Sequence, residues 1–238
     1  MENSIVEGQL FLIDKPYRWT SFDVVNKIRY YCKRETGLKK IKVGHAGTLD
    51  PLATGLLIVV TGKFTKRIEQ LQAGEKEYTG TFILGQTTDS FDLEKEPHYS
   101  GEYTHLTGKD LQHAAQKLTG AIMQTPPIFS AVKIDGKRAY EYARKDHEVE
   151  MPTKSVEIRE FTLTRISLPE VDFRIVCSKG TYIRAIARDF GLLLGCGAYL
   201  SALRRTRIGE YNVKDAIGMD NFTHTTSCNG LPLINGPR

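Results

Sequence analysis

The sequence predicts an α+β fold with a mixed, mostly antiparallel sheet flanked by helices. Two observations favour this class. Segments with the apolar pattern of strands are interspersed with segments of helical periodicity, and they lack the regular alternation that a doubly wound sheet requires. The 238 residues are long enough for one large domain or two small ones, and the absence of a Ser/Gly-rich linker favours one.

The first elements follow from local patterns. Residues 9–14 read as a short strand that ends at Lys15-Pro16. Thr20 or Ser21 caps a helix whose apolar residues recur at i, i+3 and i+4. A turn-rich segment, 44–55, leads into a buried strand at 56–61. The later elements expected are a helix at 66–72, a strand at 77–84, an acidic loop at 85–102, a helix at 109–118, strands at 155–166 and 171–178, a helix at 182–194 and a strand at 200–206.

Residues 124–150 are rich in loop-forming residues. They contain a predicted hairpin turn at 133–137 and a short helix around Tyr140. We expect this segment to belong to a single domain that spans 1–222, followed by a poorly structured tail at 223–238.

Charge is segregated along the chain. From Lys27 to Lys42 there are seven basic residues against one acid, Glu35, whereas five acids stand against Lys95 between Asp89 and Glu102. The whole chain carries a formal net charge of +5. This distribution is expected if one face meets a polyanion, although a single basic run is also typical of a solvated helix face.

The remaining composition excludes several classes of protein. Four cysteines lie far apart without a C-x-x-C pair, which favours a reduced compartment and no zinc site. The N-terminus lacks a basic segment followed by an apolar one, and the longest apolar runs are too short to span a bilayer. We therefore expect a cytoplasmic protein that needs no membrane, metal or cofactor.

The segment V-G-H-A-G-T-L-D-P-L-A-T-G at 43–55 combines one acid and one imidazole in a loop punctuated by glycine. Pro51 biases Asp50 toward an extended conformation, and the apolar strand that follows is a rigid support for its carboxylate. Asp-Pro is also a common turn dipeptide. A phosphate-binding loop is disfavoured because no G-K-[ST] follows.

This segment resembles the active-site signature of the TruB-type tRNA pseudouridine-55 synthases. Other segments resemble the family in the same order, over about residues 9–215: L-I-D-K-P with Thr20-Ser21, E-K-E-Y at 75–78, G-Q-T-T-D at 85–89, Q-T-P-P through S-A-V-K at 124–133, G-K-R-A-Y at 136–140, C-S-K-G-T-Y-I-R at 177–184 and L-R-R at 203–205. The resemblance implies the pseudouridine synthase catalytic fold, with 124–150 as an RNA-gripping thumb.

The resemblance also assigns roles. Asp50 is implied as the nucleophile, or as the base that removes a sugar proton, and the residues leave both routes open. Arg184 is its implied partner, because a nearby guanidinium favours an ionised carboxylate, and Tyr78 is implied to stack on the target uracil. The implied substrate-binding residues are His45, Tyr182, Leu203, Lys133, Lys137 and Arg138. Taken alone, Tyr78, His45 and Leu203 are also typical of structural residues, and Arg184 of a phosphate contact.

The implied partner is the T-arm of tRNA, bound by a monomer without an obligate protein partner. The sequence ends soon after the last shared motif, so the short form, without a full C-terminal PUA domain, is expected. Two alternatives stay open: the catalytic subunit of a guide-RNA-directed pseudouridylation complex, and a non-catalytic RNA chaperone that binds T-arms.

Overall fold

The computed structural model describes residues 2–134, 136–143 and 149–225. The first elements in chain order are α1 (Glu2–Glu7), β1 (Leu10–Lys15), α2 (Ser21–Thr36), β2 (Val43–His45), β3 (Thr54–Thr61), a 3-10 helix (Gly62–Arg67), α3 (Ile68–Ala73), β4 (Lys76–Leu84), β5 (Gln86–Thr87), β6 (His98–Tyr99), α4 (Gly108–Lys117) and β7 (Gly120–Gln124). The next are β8 (Lys133–Ile134), β9 (Lys137–Arg138), α5 (Ala139–Ala143), β10 (Lys154–Ser167), β11 (Glu170–Cys177), α6 (Ile183–Leu194), β12 (Ala198–Ile208), β13 (Tyr211–Asn212), a 3-10 helix (Val213–Asp215), β14 (Ile217–Gly218) and α7 (Met219–Thr225).

These elements form two compact units. The first contains the chain up to Lys76 and again from Arg204 onward, and the second contains Glu77–Leu203. Strand β12 therefore contributes its first half to the second unit and its second half to the first.

In the first unit, β3 is the central strand. It pairs antiparallel with β1 and β2 and parallel with the end of β12, while β14 lies parallel to β1. Every residue of β3 after Thr54 is buried, as expected for a strand covered on both faces. Its alternate side chains enter two apolar clusters, with Leu57 and Val59 in one and Leu56, Ile58 and Val60 in the other. This strand is the support that the sequence predicted for the segment at 43–55.

Helix α2 owes its bounds to its caps. Thr20 is the N-cap and forms a capping box with Asp23, and the helix ends at Gly37, which takes the left-handed conformation with φ 70°. One stripe of the helix is buried in the first unit, through Val24, Val25, Ile28 and Cys32. The opposite face carries the basic residues, as the sequence predicted.

The second unit orders its strands as the first half of β12, then β4, β11, β10 and β7. Strand β10 pairs antiparallel with both β11 and β7. The core of the second unit contains a cluster of aromatic rings. Phe82 stacks on Phe173 with a centroid distance of 4.1 Å, and Phe161 and Phe190 pack around them. Helix α6 contributes Phe190 to this cluster, which fixes the helix against the sheet.

The prediction of a mixed, mostly antiparallel α+β fold is confirmed. Three local predictions were wrong in detail. The expected helix at 66–72 begins as a 3-10 helix and becomes α-helical only at Ile68. The acidic stretch at 85–102 contains the paired strands β5 and β6 in addition to loop. Helix α7 continues to Thr225, into the segment expected to be a tail.

Other expectations are only partly covered by the described residues. The rest of the expected tail, 226–238, lies outside them, as do 135 and 144–148 of the expected thumb. The domain bounds at 1–222 and 223–238 stay predictions. Within the described part of the chain, no helix combines the length and apolarity needed to cross a membrane.

Gly55 provides a test of the packing between β3 and β12. Its φ is +99°, and a Cβ placed on it would lie 2.3 Å from the carbonyl oxygen of Arg205. We expect Gly55→Ala to lower the free energy of unfolding by about 2 kcal/mol or more, as measured by urea denaturation. Gly218→Ala is the control, because a Cβ there meets no atom within 4 Å. Equal losses in the two variants would contradict this account.

Candidate active site

Asp50 lies in the loop 46–53 that connects β2 and β3 in the first unit. The loop is tied to its strand where the Ala46 N–H donates to the Ile58 carbonyl at 2.9 Å. It is closed by a turn in which the Ala53 N–H donates to the Asp50 carbonyl at 3.1 Å. Asp50 itself is half-buried. The local backbone therefore presents a carboxylate on a short, anchored loop.

A buried guanidinium binds the start of this loop and the strand that follows it. The Arg205 side chain is 1% exposed, and its Nε donates to the Leu56 carbonyl at 2.8 Å. Its Nη2 donates to the Gly47 carbonyl at 3.0 Å, and its Nη1 to the Thr48 carbonyl at 3.4 Å. A buried charge is costly unless it is hydrogen-bonded, so these bonds stabilise the loop and the cation together.

A buried lysine binds the loop at Pro51, the residue after Asp50. The ammonium of Lys15 donates to the carbonyls of Pro51 at 3.2 Å, Trp19 at 2.5 Å and Pro16 at 3.0 Å. Burial lowers the pKa of Lys15 to about 8, an effect that the nearby Asp50 opposes and Arg205 reinforces.

Ser21 adds a neutral contact to the same loop. Its buried hydroxyl accepts a hydrogen bond from the Leu49 N–H at 2.9 Å and donates one to the Leu49 carbonyl at 3.1 Å. The residue before Asp50 is therefore hydrogen-bonded to the first turn of α2 through both of its peptide groups. This explains in physical terms why a Thr-Ser pair stands at 20–21: Thr20 caps the helix and Ser21 binds the loop.

His45 lies at the end of β2, five residues before Asp50, and is half-buried. Burial lowers its pKa, and the positive charge of Arg205 lowers it further. The imidazole is therefore neutral at neutral pH. A neutral ring can enter an apolar or stacked environment at less cost than an imidazolium.

Arg184 occupies the first turn of α6 in the second unit and is 4% exposed. Its Nη1 donates to the Ser90 carbonyl at 3.3 Å, and its Nη2 to the Phe129 carbonyl at 3.0 Å. Its Nε lies 3.5 Å from Oδ2 of Asp92, which is also buried. The Asp92 carboxylate in turn accepts from the Ser90 hydroxyl at 2.6 Å. The second unit therefore holds a buried ion pair that is hydrogen-bonded on both sides.

The other predicted residues of the second unit have these positions. Tyr78 is buried on β4, Tyr182 is the half-buried N-cap of α6, and Leu203 is half-buried on β12. The predicted hairpin is confirmed, with Lys133 opposite Arg138, and its three cations, Lys133, Lys137 and Arg138, are all exposed. The pairing of Asp50 with Arg184 joins residues of different units and stays a prediction.

Sequence reasoning placed none of four residues that shape these two environments among the site residues: Lys15, Ser21, Asp92 and Arg205. Their common feature is a polar side chain buried by partners far away in the chain, such as Asp92 with Arg184 and Arg205 with Gly47. Lys15 and Arg205 stand in the quoted motifs, but nothing in their spacing marks them as buried. Asp92 stands in an acidic stretch that is typical of a solvated loop.

Comparisons with known proteins identify the same family over nearly the whole chain. Residues 33–183 match the family model of the TruB family pseudouridylate synthase N-terminal domain, and 184–228 match that of the tRNA pseudouridylate synthase B C-terminal domain. The tRNA pseudouridine synthase B of Flavobacterium johnsoniae is 53% identical over 218 residues, which cover 91% of this chain and 95% of the relative. That of Phocaeicola vulgatus is 54% identical over 216 residues, covering 91% and 92%.

A solved Cbf5-Nop10-Gar1 complex contains a chain of similar fold. The TM-score is 0.70 and the identity 28%, over 94% of the present chain. The present chain spans only 56% of that protein.

The burial of Lys15 predicts a pH dependence of stability. Its pKa is about 8 in the folded protein and about 10.4 in an unfolded chain, so the unfolded state binds more protons between these values. The free energy of unfolding should therefore rise with pH across this window, by up to about 3 kcal/mol from this group. Urea denaturation of the wild type and Lys15→Met from pH 7 to about 10.5 isolates the contribution. Parallel curves for the two proteins would show that Lys15 does not titrate in this window.

Proposed function

Because the chain belongs to the TruB family of pseudouridylate synthases, we propose that it isomerises uridine to pseudouridine at position 55 in the T-loop of tRNA, with Asp50 as its catalytic carboxylate. The main support is the 53% identity that extends over 95% of a tRNA pseudouridine synthase B. The geometry adds an acidic residue on a loop whose backbone is bonded to Arg205, Lys15 and Ser21.

The reaction needs no electron transfer. The N1–C1′ glycosidic bond breaks, the detached uracil turns, and C5 joins C1′. C5 then loses its proton and N1 gains one, so the product is an isomer of the substrate. Asp50 acts either as a nucleophile at C1′ or as the base that removes a sugar proton, which is later returned. Both routes require a carboxylate in a fixed position, which the anchored loop supplies.

Arg184 is the proposed partner of the Asp50 carboxylate. A guanidinium has five N–H donors, so its contact with Asp92 does not prevent a second carboxylate from binding it. The hydrogen bonds from Arg184 to backbone carbonyls orient the cation before substrate arrives. Tyr78 stacks on the uracil and stands within reach of the proton released at the end, while Tyr182 and Leu203 line the pocket.

The target uridine must leave the folded T-loop, which costs a few kcal/mol. His45 is proposed to enter the vacated space, a role that suits its neutral imidazole. The exposed cations of the β8–β9 hairpin and the Lys39–Lys42 cluster bind phosphates of the T-arm. Recognition rests on the shape of the T-arm more than on base identity.

We also propose that the protein acts on free tRNA as a monomer in the cytoplasm. The alternative of a subunit in a guide-RNA-directed complex is less well supported, because the chain is 53% identical to a tRNA pseudouridine synthase B but only 28% identical to the chain it matches in the Cbf5-Nop10-Gar1 complex. Pseudouridine mapping after incubation of purified protein with a tRNA transcript, without added partners, separates the two. A pure RNA chaperone would bind the transcript without forming pseudouridine.

Asp50→Asn removes the charge and keeps the shape of the side chain. We expect the rate of pseudouridine formation to fall by ~10³-fold or more, with tRNA affinity within about 3-fold of the wild type. Single-turnover kinetics and filter binding measure the two quantities. Asp215→Asn, at an exposed position of the same unit, is the control. Near-normal turnover of the Asp50 variant would refute its catalytic role.

The phosphate contacts predict a strong salt dependence of tRNA binding. The slope of log Kd against log salt concentration should become shallower by about 1 for each of Lys133→Ala, Lys137→Ala and Arg138→Ala. Lys214→Ala, which removes an exposed cation outside the hairpin, should leave the slope unchanged. If the hairpin variants kept the wild-type slope, the thumb would not contact phosphate.

A further inference from the structure

The insertion that carries the basic hairpin begins and ends at one residue pair. Gln124 is the last residue of β7 and Lys154 the first of β10, and the two are cross-strand partners. We call this pair the neck. The chain leaves the sheet and returns to it at the neck, and the described residues between 124 and 154 lie outside that sheet.

Gln124 binds the backbone of Tyr182. Its carboxamide is fully buried, and its Oε1 accepts a hydrogen bond from the Tyr182 N–H at 2.8 Å. Its Nε2 donates to the Tyr182 carbonyl at 3.2 Å. One side chain thus binds both the N–H and the carbonyl of Tyr182, the N-cap of α6, and this carbonyl also accepts from the Ile186 N–H at 3.2 Å. Helix α6 has no side-chain cap bond from Tyr182 itself.

Lys154 binds the ring of the same residue. Its Nζ lies 4.8 Å from the centroid of Tyr182, within the range of a cation–π interaction. Burial lowers the pKa of Lys154, in agreement with an ammonium that packs against the ring instead of extending into water. The two halves of the neck therefore contact the backbone and the ring of Tyr182.

The insertion also reaches Arg184, two residues further on. The carbonyl of Phe129 accepts from its Nη2 at 3.0 Å. The next residue, Ser130, accepts from the Tyr140 N–H at 3.1 Å, and this bond attaches α5 to the same stretch of backbone. A short, hydrogen-bonded route thus runs from the hairpin and α5 to Arg184.

We propose that the neck is a positioning element, through which the insertion sets the places of Tyr182 and Arg184. Gln124 and Lys154 act through Tyr182 and need not touch the reacting atoms. RNA bound by the hairpin steadies the insertion, and the neck transmits that constraint to the start of α6. This inference rests on the proposed function, because it assigns Tyr182 and Arg184 to the reaction.

Gln124→Met tests the hydrogen-bonded half of the neck. The substitution keeps the length of the side chain and removes both bonds to Tyr182. We expect kcat to fall by roughly 100-fold, because small displacements of catalytic groups are costly, with the Kd for tRNA within about 2-fold of the wild type. Gln112→Met, at an exposed position on α4, is the matched control. Thermal melting of each variant establishes that it is folded.

Lys154→Met tests the cation–π half. We expect kcat to fall by about 10-fold in the wild-type background and by less than about 2-fold in a Tyr182→Leu background, where no ring remains. Arg159→Met is the control, because it removes one cation from the exposed face of the same strand. A loss of general RNA attraction would instead appear in Kd and in both Lys154 and Arg159 variants.

The outcomes are separable from those of the proposed function. If the wild type forms no pseudouridine, the proposed function fails. If the wild type is active and Gln124→Met and Lys154→Met match it, or change only Kd, the neck proposal alone is overturned. If Gln124→Met does not fold, the Lys154→Met and Tyr182→Leu cycle decides: equal losses in the two backgrounds overturn the proposal, and a loss confined to the wild-type background supports it.

Discussion

The buried guanidinium of Arg205 is the interaction on which the geometry of the Asp50 loop depends. It donates to the carbonyls of Gly47 and Thr48 near the start of the loop, and to that of Leu56 in the strand that follows it. Moving the loop would deprive a buried cation of two acceptors, the carbonyls of Gly47 and Thr48, at a cost of several kcal/mol. Lys15 constrains the far side in the same way through the carbonyl of Pro51. The loop is therefore held in place by two buried cations that need its carbonyl groups as hydrogen-bond acceptors.

In the second unit, the buried cation of Arg184 is stabilised by an ion pair with Asp92. Arg184 and Asp92 are both buried, and each is further hydrogen-bonded by groups of the segment 88–94 or of the insertion. Such a network orients a guanidinium before substrate binds, which is the condition for electrostatic stabilisation of developing charge. The insertion contributes to this network directly, so the part of the chain proposed to grip RNA and the part proposed to hold the catalytic cation share hydrogen bonds.

Local signals predicted most elements well. The helix at Ser21–Thr36 follows from its apolar period and its Thr20 cap, and the buried strand before Thr61 from its continuous apolar run. The signals failed where structure depends on distant partners. Strands β5 and β6 consist of two residues each and form only because Gln86 meets Tyr99, so no local periodicity could reveal them. The same holds for Asp92, whose burial depends on a guanidinium 92 residues further along the chain.

The sequence by itself determined the fold class, the family and the place of Asp50 on a loop before a buried strand, because periodicity, turn chemistry and motif order are properties of neighbouring residues. Only the tertiary structure decided which polar side chains are buried and what they bind: Arg205 with the loop carbonyls, Arg184 with Asp92, and Gln124 with Tyr182. The physical reason is that hydrogen-bond partners compensate the cost of burying a donor or a charge, and folding brings these partners together from distant parts of the chain. The spacing of residues along the sequence does not reveal such partners.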